Sequence, residues 1–338
     1  MKKGIITFHN ANNLGAVLQA YALQKKVSEI FKDDIVEIID YENDYFKEKV
    51  PNTSIKGILK NIYYYIKNKG FNKFRKKYLI LSPTCNKNTI SYSNELYDTY
   101  ICGSDQIWNL DCSKNDYNYF LKFADSNIKR ISYAASLGNY VYSKEEKQKV
   151  FEQLKHFNKI SIREKESLKE FDGLNLNVEV VPDPVFLLKK EEWMQLMPKR
   201  LTKKKYIFVY LIQEDINVMK SAYEYAKNNK CIIISNKKSL KFMLKNSPEL
   251  FLSWIYYADA VFTNSFHGTA FALIFGKKLG ADIALKNGNI NNRVSEILKL
   301  TENEQCIISA DNHDAKLPKD SDVMKKMRNT GIEYIKDI

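Results

Sequence analysis

No two cysteines in this chain form a CxxC pair, and the five present, Cys85, Cys102, Cys112, Cys231 and Cys306, are odd in number and widely scattered. That pattern argues against a disulfide framework and against a structural zinc site, so no metal is expected. Long apolar runs are also missing. No segment approaches the roughly 18 apolar residues that a membrane span needs. After Lys2 and Lys3 the run Gly4-Ile5-Ile6-Thr7-Phe8 stops at His9, too short for the apolar region of a signal peptide. A soluble, intracellular protein is therefore expected. The sequence has no helix-turn-helix, zinc-finger or RNA-binding signature, which leaves nucleic acid as an unexpected partner. It also shows no internal repeat or low-complexity tract.

What is present points to a sizeable α/β protein. The 338 residues, 44% of them hydrophobic, suffice for two domains with a core in each. Lys and Arg exceed Asp and Glu by 53 to 40, a net charge of +13, which favours anionic partners such as phosphorylated metabolites or membrane surfaces. The excess is concentrated between Lys56 and Lys77, where eight basic residues meet no acidic one and Ile55, Ile58, Leu59, Ile62 and Ile66 recur at helical spacing. A basic amphipathic helix over 55–77 has two readings. Either it lies against the inner membrane face as a peripheral contact, or its apolar stripe faces the core and its lysines face water.

Short apolar runs alternate with helix-forming stretches along the whole chain, the pattern of parallel α/β sheets. Strands are expected near Gly4–Phe8, Ile35–Asp40, Thr99–Cys102, Arg130–Ala134, Lys159–Ile162 and Val178–Val181. Further strands are expected near Tyr206–Ile212, Cys231–Ser235, Ala260–Thr263 and Lys278–Ala281. Two prolines in Val181-Pro182-Asp183-Pro184 cannot continue a central strand or helix, which makes this turn the best linker candidate. The expected organisation is two Rossmann-like domains, 1–184 and 185–338, facing a central cleft. A terminal helix over 320–338 is placed to pack back on the first.

Four strand-to-helix junctions carry chemistry, because ligands of α/β proteins bind at the carboxyl ends of strands. In Asn264-Ser265-Phe266-His267-Gly268-Thr269 a titratable His267 stands at the start of a helix. The helix dipole and the amides near Gly268 and Thr269 offer an anion site there, with Ser265 beside it. The duller alternative makes His267 structural and Ser265 or Thr269 a cap. The first junction, His9 to Gly15, holds a single glycine and so is no GxGxxG dinucleotide fingerprint. Its amides suit sugar hydroxyls, or Asn13 simply caps the helix. In Gly103-Ser104-Asp105-Gln106-Ile107-Trp108 a carboxylate, an amide and an indole come together, the set expected around a stacked carbohydrate ring, or Asp105 simply caps the helix that follows. Arg163 in Ser161-Ile162-Arg163-Glu164 can fork onto a carboxylate or phosphate, or pair with Glu164 or Glu166.

Six segments in collinear order resemble the polysaccharide pyruvyl transferase family: Asn13-Leu14-Gly15-Ala16-Val17-Leu18-Gln19, Gly103-Ser104-Asp105-Gln106-Ile107-Trp108, Ser132-Tyr133-Ala134-Ala135-Ser136, Ser161-Ile162-Arg163-Glu164, Val181-Pro182-Asp183-Pro184 and Asn264-Ser265-Phe266-His267-Gly268-Thr269. The likeness runs from Gly4 to about Leu300. It implies a GT-B-like fold and transfer of a pyruvyl group from phosphoenolpyruvate to a sugar of a cell-surface polysaccharide or its precursor, usually as a cyclic ketal. The family's histidine maps onto His267 and its arginine onto Arg163. His267 is then expected as general acid, Arg163 and the helix start as ligands of carboxylate and phosphate, and Asp105 as base for the hydroxyl. Arg293, in Asn291-Asn292-Arg293-Val294-Ser295, is a second candidate anion ligand, or else a surface residue. Asn13, Gly15, Gln106 and Trp108 are expected on the acceptor side, in the first domain, and the donor mainly in the second. Phosphoenolpyruvate enters as co-substrate with no further cofactor, and the acceptor is a saccharide, lipid-linked or not. A GT-B glycosyltransferase using a nucleotide sugar and a noncatalytic carbohydrate-binding protein are the rival readings.

Overall fold

The computed structural model describes residues 1–43, 55–237, 239–284, 291–309, 312–319 and 322–338, with only the backbone described over 55–64. β1 (Lys2–Ile6) is followed by α1 (Leu14–Ile30), β2 (Ile35–Ile38), α2 (Ile55–Tyr78), β3 (Thr99–Cys102) and the single turn α3 (Leu110–Ser113). Then come β4 (Lys129–Ser132), α4 (Lys144–Leu154), β5 (Ile160–Ile162), β6 (Val178–Val180), α5 (Lys190–Met194), β7 (Tyr206–Tyr210) and α6 (Ile216–Asn228). The chain continues through β8 (Ile232–Ser235), α7 (Leu240–Leu244), α8 (Pro248–Tyr256), β9 (Ala260–Thr263), α9 (Phe266–Ile274), β10 (Lys278–Ala281), α10 (Asn292–Leu300) and α11 (Val323–Lys336). Each strand expected from the sequence is present within a few residues. The fold is α/β, built on parallel sheets.

The chain divides into two compact units, one of Met1–Val50, Arg75–Leu188 and Lys326–Ile338, the other of Pro51–Phe74 and Lys189–Lys325. The main division therefore falls just after the Val181–Pro184 turn. A cut at 184/185 misses one crossing, residues 51–74, which group with the second unit; residues 326–338 group with the first, as expected for the terminal helix. In α11 the Tyr334 hydroxyl donates to the Ser132 carbonyl at 2.9 Å. Gly331 lets that helix lie close, since a Cβ there would stand 2.4 Å from the Tyr133 hydroxyl.

In the first unit the strands run in the order β2-β1-β3-β4, all parallel. Bridges Ile131↔Lys159 and Ala135↔Ile162 carry the sheet on to β5, which pairs with β6. The pleat sends alternate residues to opposite faces, and both faces are buried, as parallel sheets require. Ile5, Ile101 and Ile131 pack with Ala20, Leu23 and Val27 of α1 and with Ile335. Ile6, Tyr100 and Cys102 pack on the other face with Trp108, Phe120 and Leu154. The second unit repeats the scheme in the order β10-β9-β7-β8, again parallel. Val209 and Phe262 meet Val218 and Ala222 of α6, while Phe208 and Tyr210 meet the aromatic rings of α8. The strand order reverses direction between β1 and β3 in one unit and between β7 and β9 in the other. Those two points are where open α/β sheets leave a crevice beyond the strand ends.

Within α2, Phe71, Phe74 and Arg75 are buried, and of the apolar stripe expected from the sequence only Ile66, half-buried, falls among the described side chains. Ile55, Ile58, Leu59 and Ile62 lie outside the described side chains. Among the described residues no helix is long and apolar enough to cross a membrane.

Candidate active site

At the first switch point the chain ends are tied tightly. The Thr7 hydroxyl, after β1, donates to the Ser104 carbonyl after β3 at 2.6 Å, and Gln19 of α1 donates to that hydroxyl at 2.9 Å. His9 is fully buried, with Nε2 2.9 Å from Asp40 Oδ1 and Nδ1 3.2 Å from the Thr7 carbonyl. Asp40 also accepts from Thr84 at 2.6 Å and Asn10 at 3.2 Å. The His9 hydrogen bond, with lesser help from Thr84 and Asn10, outweighs burial and holds the Asp40 carboxyl down at about 2. Arg75 closes the same loop, donating to the carbonyls of His9 and Asn10 and to Asn12 Oδ1.

A carboxyl that binds its proton more weakly folded than unfolded adds stability at high pH and loses it in acid. Asp40 should therefore contribute fully above its ordinary 3.8, and the contribution should fade as pH falls through about 2. The Asp40 side chain is 17% exposed, and screening by the adjoining solvent holds the effect to on the order of 1 kcal/mol. Urea midpoints of the native protein and Asp40→Asn should differ most at pH 5, and the gap should narrow by about half at pH 3 on its way to closing below about 2. A gap unchanged with pH would show that Asp40 carries no such linkage.

Asn13 caps α1, its Oδ1 accepting from the amides of Gly15 at 3.0 Å and Ala16 at 3.3 Å. Its side-chain oxygen and the Gly15 amide thus serve the helix start. Asp105 is the conformational outlier of this edge. Its φ of 78° and ψ of 175° lie in a region that glycine alone adopts readily, at a cost of about 1–3 kcal/mol for other residues. The geometry is held from both sides: Oδ1 accepts from the Gln106 amide at 2.8 Å, and the carbonyl accepts from Ser136 at 3.0 Å. Such strain persists where the surroundings over-determine it, most often at functional positions. Asp105→Gly should melt higher than Asp105→Ala, since both lose the carboxylate but only glycine relieves the backbone. Equal melting temperatures for the two would remove the case for strain.

Gln106 is half-buried, and its Oε1 accepts from Asn109 at 3.2 Å. Trp108 corrects an expectation outright. The ring is fully buried, stacked on Phe120 at 5.3 Å with 8° between planes, and flanked by Phe157 and Phe171. Its Nε1 donates to the Tyr119 carbonyl at 3.1 Å. A ring closed in on these sides is core and cannot stack a sugar.

Arg163 is likewise held from within its own unit. Nη1 donates to Asp183 at 2.7 Å, Nε to Glu164 at 2.8 Å and Nη2 to Ser136 at 2.8 Å. Ser136 in turn donates to Glu164 at 2.6 Å, and Ser104 to Asp183 at 3.3 Å. Burial opposes the guanidinium charge, yet Glu164, Asp183 and then Asp105 outweigh it and push the arginine further up. The expectation of a fork aimed at a ligand gives way to a buried arginine already bidentate across two carboxylates.

In the second unit β9 ends at Thr263, whose hydroxyl donates to the Tyr210 carbonyl at 2.6 Å and accepts from the Ser265 amide at 3.0 Å. Ser265 is the N-cap of α9. Its Oγ accepts from Gly268 at 3.4 Å and its carbonyl from Thr269 at 2.9 Å. The amides of Gly268 and Thr269, expected as an open anion site, are thus taken by the cap. Gly268 is required on packing grounds, because a Cβ there would stand 2.5 Å from the Thr263 hydroxyl. Thr269 is fully buried, and among the described residues its hydroxyl has no hydrogen-bond partner. His267 sits in the first turn, 9% exposed, with its ring edge-on to Phe266 at 5.1 Å. Arg293 is half-buried in the first turn of α10.

A family model described as polysaccharide pyruvyl transferase matches residues 13–279. The chain belongs to the polysaccharide pyruvyl transferase family. A search of curated proteins finds no match. Among solved structures the family member is similar to the UDP-GlcNAc 2-epimerase of Neisseria meningitidis bound to UDP-GlcNAc, at 11% identity and TM-score 0.44, covering 98% of this chain and 100% of that one. It is also similar to the Methanocaldococcus jannaschii UDP-GlcNAc 2-epimerase, at 12% and 0.45 over 100% and 99%. The E. coli ADP-heptose LPS heptosyltransferase II follows at 8% and 0.40 over 99% and 99%.

Four of the six motifs meet in the Arg163 network, which draws Ser104, Ser136, Arg163 with Glu164, and Asp183 from separate stretches. In this pyruvyl transferase family member those motifs build the edge on which Asp105 is held. Asn291 and Asp282 of the second edge carry no local signal in the sequence, and Asn264 opens the His267 motif without showing what it binds. Asn264 accepts from the Ile212 amide at 3.0 Å and donates to Asp215 at 3.2 Å. Asn291, just before α10, donates to the Asn264 carbonyl at 3.0 Å and so ties the Arg293 helix to the His267 turn. Asp282, at the end of β10, is 3% exposed. Burial, and with it the charge of Asp215, outweighs the Ala284 amide and pushes its carboxyl up. Among the described residues no group of His, Cys, Asp or Glu is arranged to hold a metal ion.

Proposed function

We propose that this protein transfers the pyruvyl group of phosphoenolpyruvate to two hydroxyls of a saccharide, forming a cyclic ketal and releasing phosphate. The observation that carries the reading is His267 in the first turn of α9, at a strand end where the sheet order reverses, in a chain whose family is pyruvyl transfer. Protonation of the enol phosphate at its methylene carbon leaves a cationic centre on the adjacent carbon. One sugar hydroxyl adds there, and a second displaces phosphate. The two hydroxyl protons balance the methyl hydrogen gained and the proton taken by phosphate. His267 is the general acid of the first step, a role worth roughly 10²- to 10⁴-fold. The positive end of the α9 dipole and Arg293 favour the carboxylate and phosphate charge. Asp105 takes the hydroxyl proton, and its enforced backbone supports that role. Arg163 is a positioning residue, holding Asp183 and the Ser136 side chain, and the Ser136 amide in turn binds the Asp105 carbonyl. The direct test is phosphate release from phosphoenolpyruvate in the presence of a panel of polysaccharide-repeat sugars. Release dependent on one of them is expected. Turnover of nucleotide sugars with none from phosphoenolpyruvate would overturn the reading in favour of glycosyl transfer.

A further inference from the structure

The switch point of the second sheet has two banks. One is the His267 turn after β9, and the other is the segment after β7, which together with α6 and with Lys237 after β8 bounds a cavity of about 360 Å³. From α6 this cavity receives Ile216, Met219, Lys220 and Tyr223, the spacing of a single helix face. Met219 packs partly against the core cluster of Val218, Ala222, Tyr225 and Ala226. Ile216 is 86% exposed and Tyr223 57% exposed, so α6 keeps one aliphatic and one aromatic side chain at the solvent, beside a concavity.

The walls are built in advance. Leu211 donates to Asn236 at 2.9 Å and accepts from it at 2.8 Å. Asn264 then pins Ile212, Gln213 and Asp215. Asn264 lies between β9 and the Ser265 cap, and one side chain therefore fixes both the cavity rim and the start of the His267 turn.

The lining chemistry selects the ligand. Its charges, Glu214 and Asp215 against Lys220 and Lys237, cancel, so a multiply charged enol phosphate gains little there. Asp215 is already committed, one oxygen to the Val218 amide and the other to Asn264. An aromatic face, an aliphatic neighbour and exposed Glu214 and Lys220 suit a neutral polyhydroxylated ring, whose carbons stack while its hydroxyls are held. The volume is at the small end for ligand pockets, enough for one or two rings and not for a polymer. We infer that the α6 cavity is the saccharide subsite of this protein, with Tyr223 as its stacking platform. The inference rests on the pyruvyl transfer reading for the ligand's role, and it moves the platform from the buried Trp108 to Tyr223.

Ligand-observed saturation-transfer NMR with the methyl glycosides of glucose, galactose, mannose and N-acetylglucosamine tests binding without needing turnover. At least one glycoside should bind the native protein and Tyr223→Phe, and bind Tyr223→Ala about tenfold more weakly, the weight of one aromatic contact. Melting and phosphoenolpyruvate affinity should not change in either variant, since Tyr223 is exposed. No signal from any glycoside, equal signals from Tyr223→Ala and the native protein, or a loss of phosphoenolpyruvate affinity in Tyr223→Ala would each overturn the assignment. Glycoside binding that depends on Tyr223, without phosphate release from phosphoenolpyruvate, would uphold the cavity and defeat the pyruvyl transfer reading instead.

Discussion

His267→Gln is expected to lower turnover by about 10²- to 10⁴-fold, the range of a positioned general acid, with a melting temperature close to the native one. Glutamine keeps a polar head of similar reach at a site only 9% exposed, but its amide has no proton to transfer near neutral pH. The α9 start does not depend on the imidazole, because the cap is Ser265 and the close packing is Gly268 against Thr263. Loss of activity without loss of fold is therefore the signature to look for. Phosphate release under saturating phosphoenolpyruvate, alongside a thermal melt, separates the two. Near-native turnover would remove His267 from the chemistry, while a variant that melts far lower would make it a structural histidine.

The strands were legible because a strand buried on both faces reads as a short, continuous apolar run, as in Tyr206-Ile207-Phe208-Val209 or Ala260-Val261-Phe262. The junction residues were legible for a related reason, since polar groups at strand ends stand out against such runs. What those groups do there was set by partners distant in the chain. Arg163 showed only its neighbour Glu164, whereas Asp183, 20 residues on, and Ser136, 27 back, decide where its fork points. His9 drew no attention because Asp40 is 31 residues away. Trp108 misled in the same way. An indole in a polar segment reads alike whether it turns outward to a sugar or inward to Phe120, Phe157 and Phe171. At Gly268 the open alternative is the one that holds: Ser265 spends its hydroxyl on the cap, and what demands glycine is the Thr263 hydroxyl beneath it.

Arg163→Met is expected to cost about 3–5 kcal/mol of stability, the cost of leaving buried charge without its partner. Glu164 is 3% and Asp183 1% exposed, so neither carboxylate can turn to water when the guanidinium is lost. Arg163→Lys should recover only part of this, because one ammonium cannot span Asp183, Glu164 and Ser136 as the planar fork does. The cost should not be additive. Adding Glu164→Gln and Asp183→Asn to Arg163→Met removes the stranded charges, so the triple variant should be more stable than the sum of the single losses. Urea denaturation of the series measures this. A loss below about 1 kcal/mol for Arg163→Met, typical of a solvated ion pair, would show that the network is not what holds this edge. Activity should respond differently from a ligand arginine. A residue gripping phosphoenolpyruvate would, on substitution by lysine, raise its KM. An arginine that only anchors the Ser104–Asp105 turn should instead lower kcat with phosphoenolpyruvate KM nearly unchanged, because the strained Asp105 backbone relaxes once Asp183 and Ser136 lose their common partner.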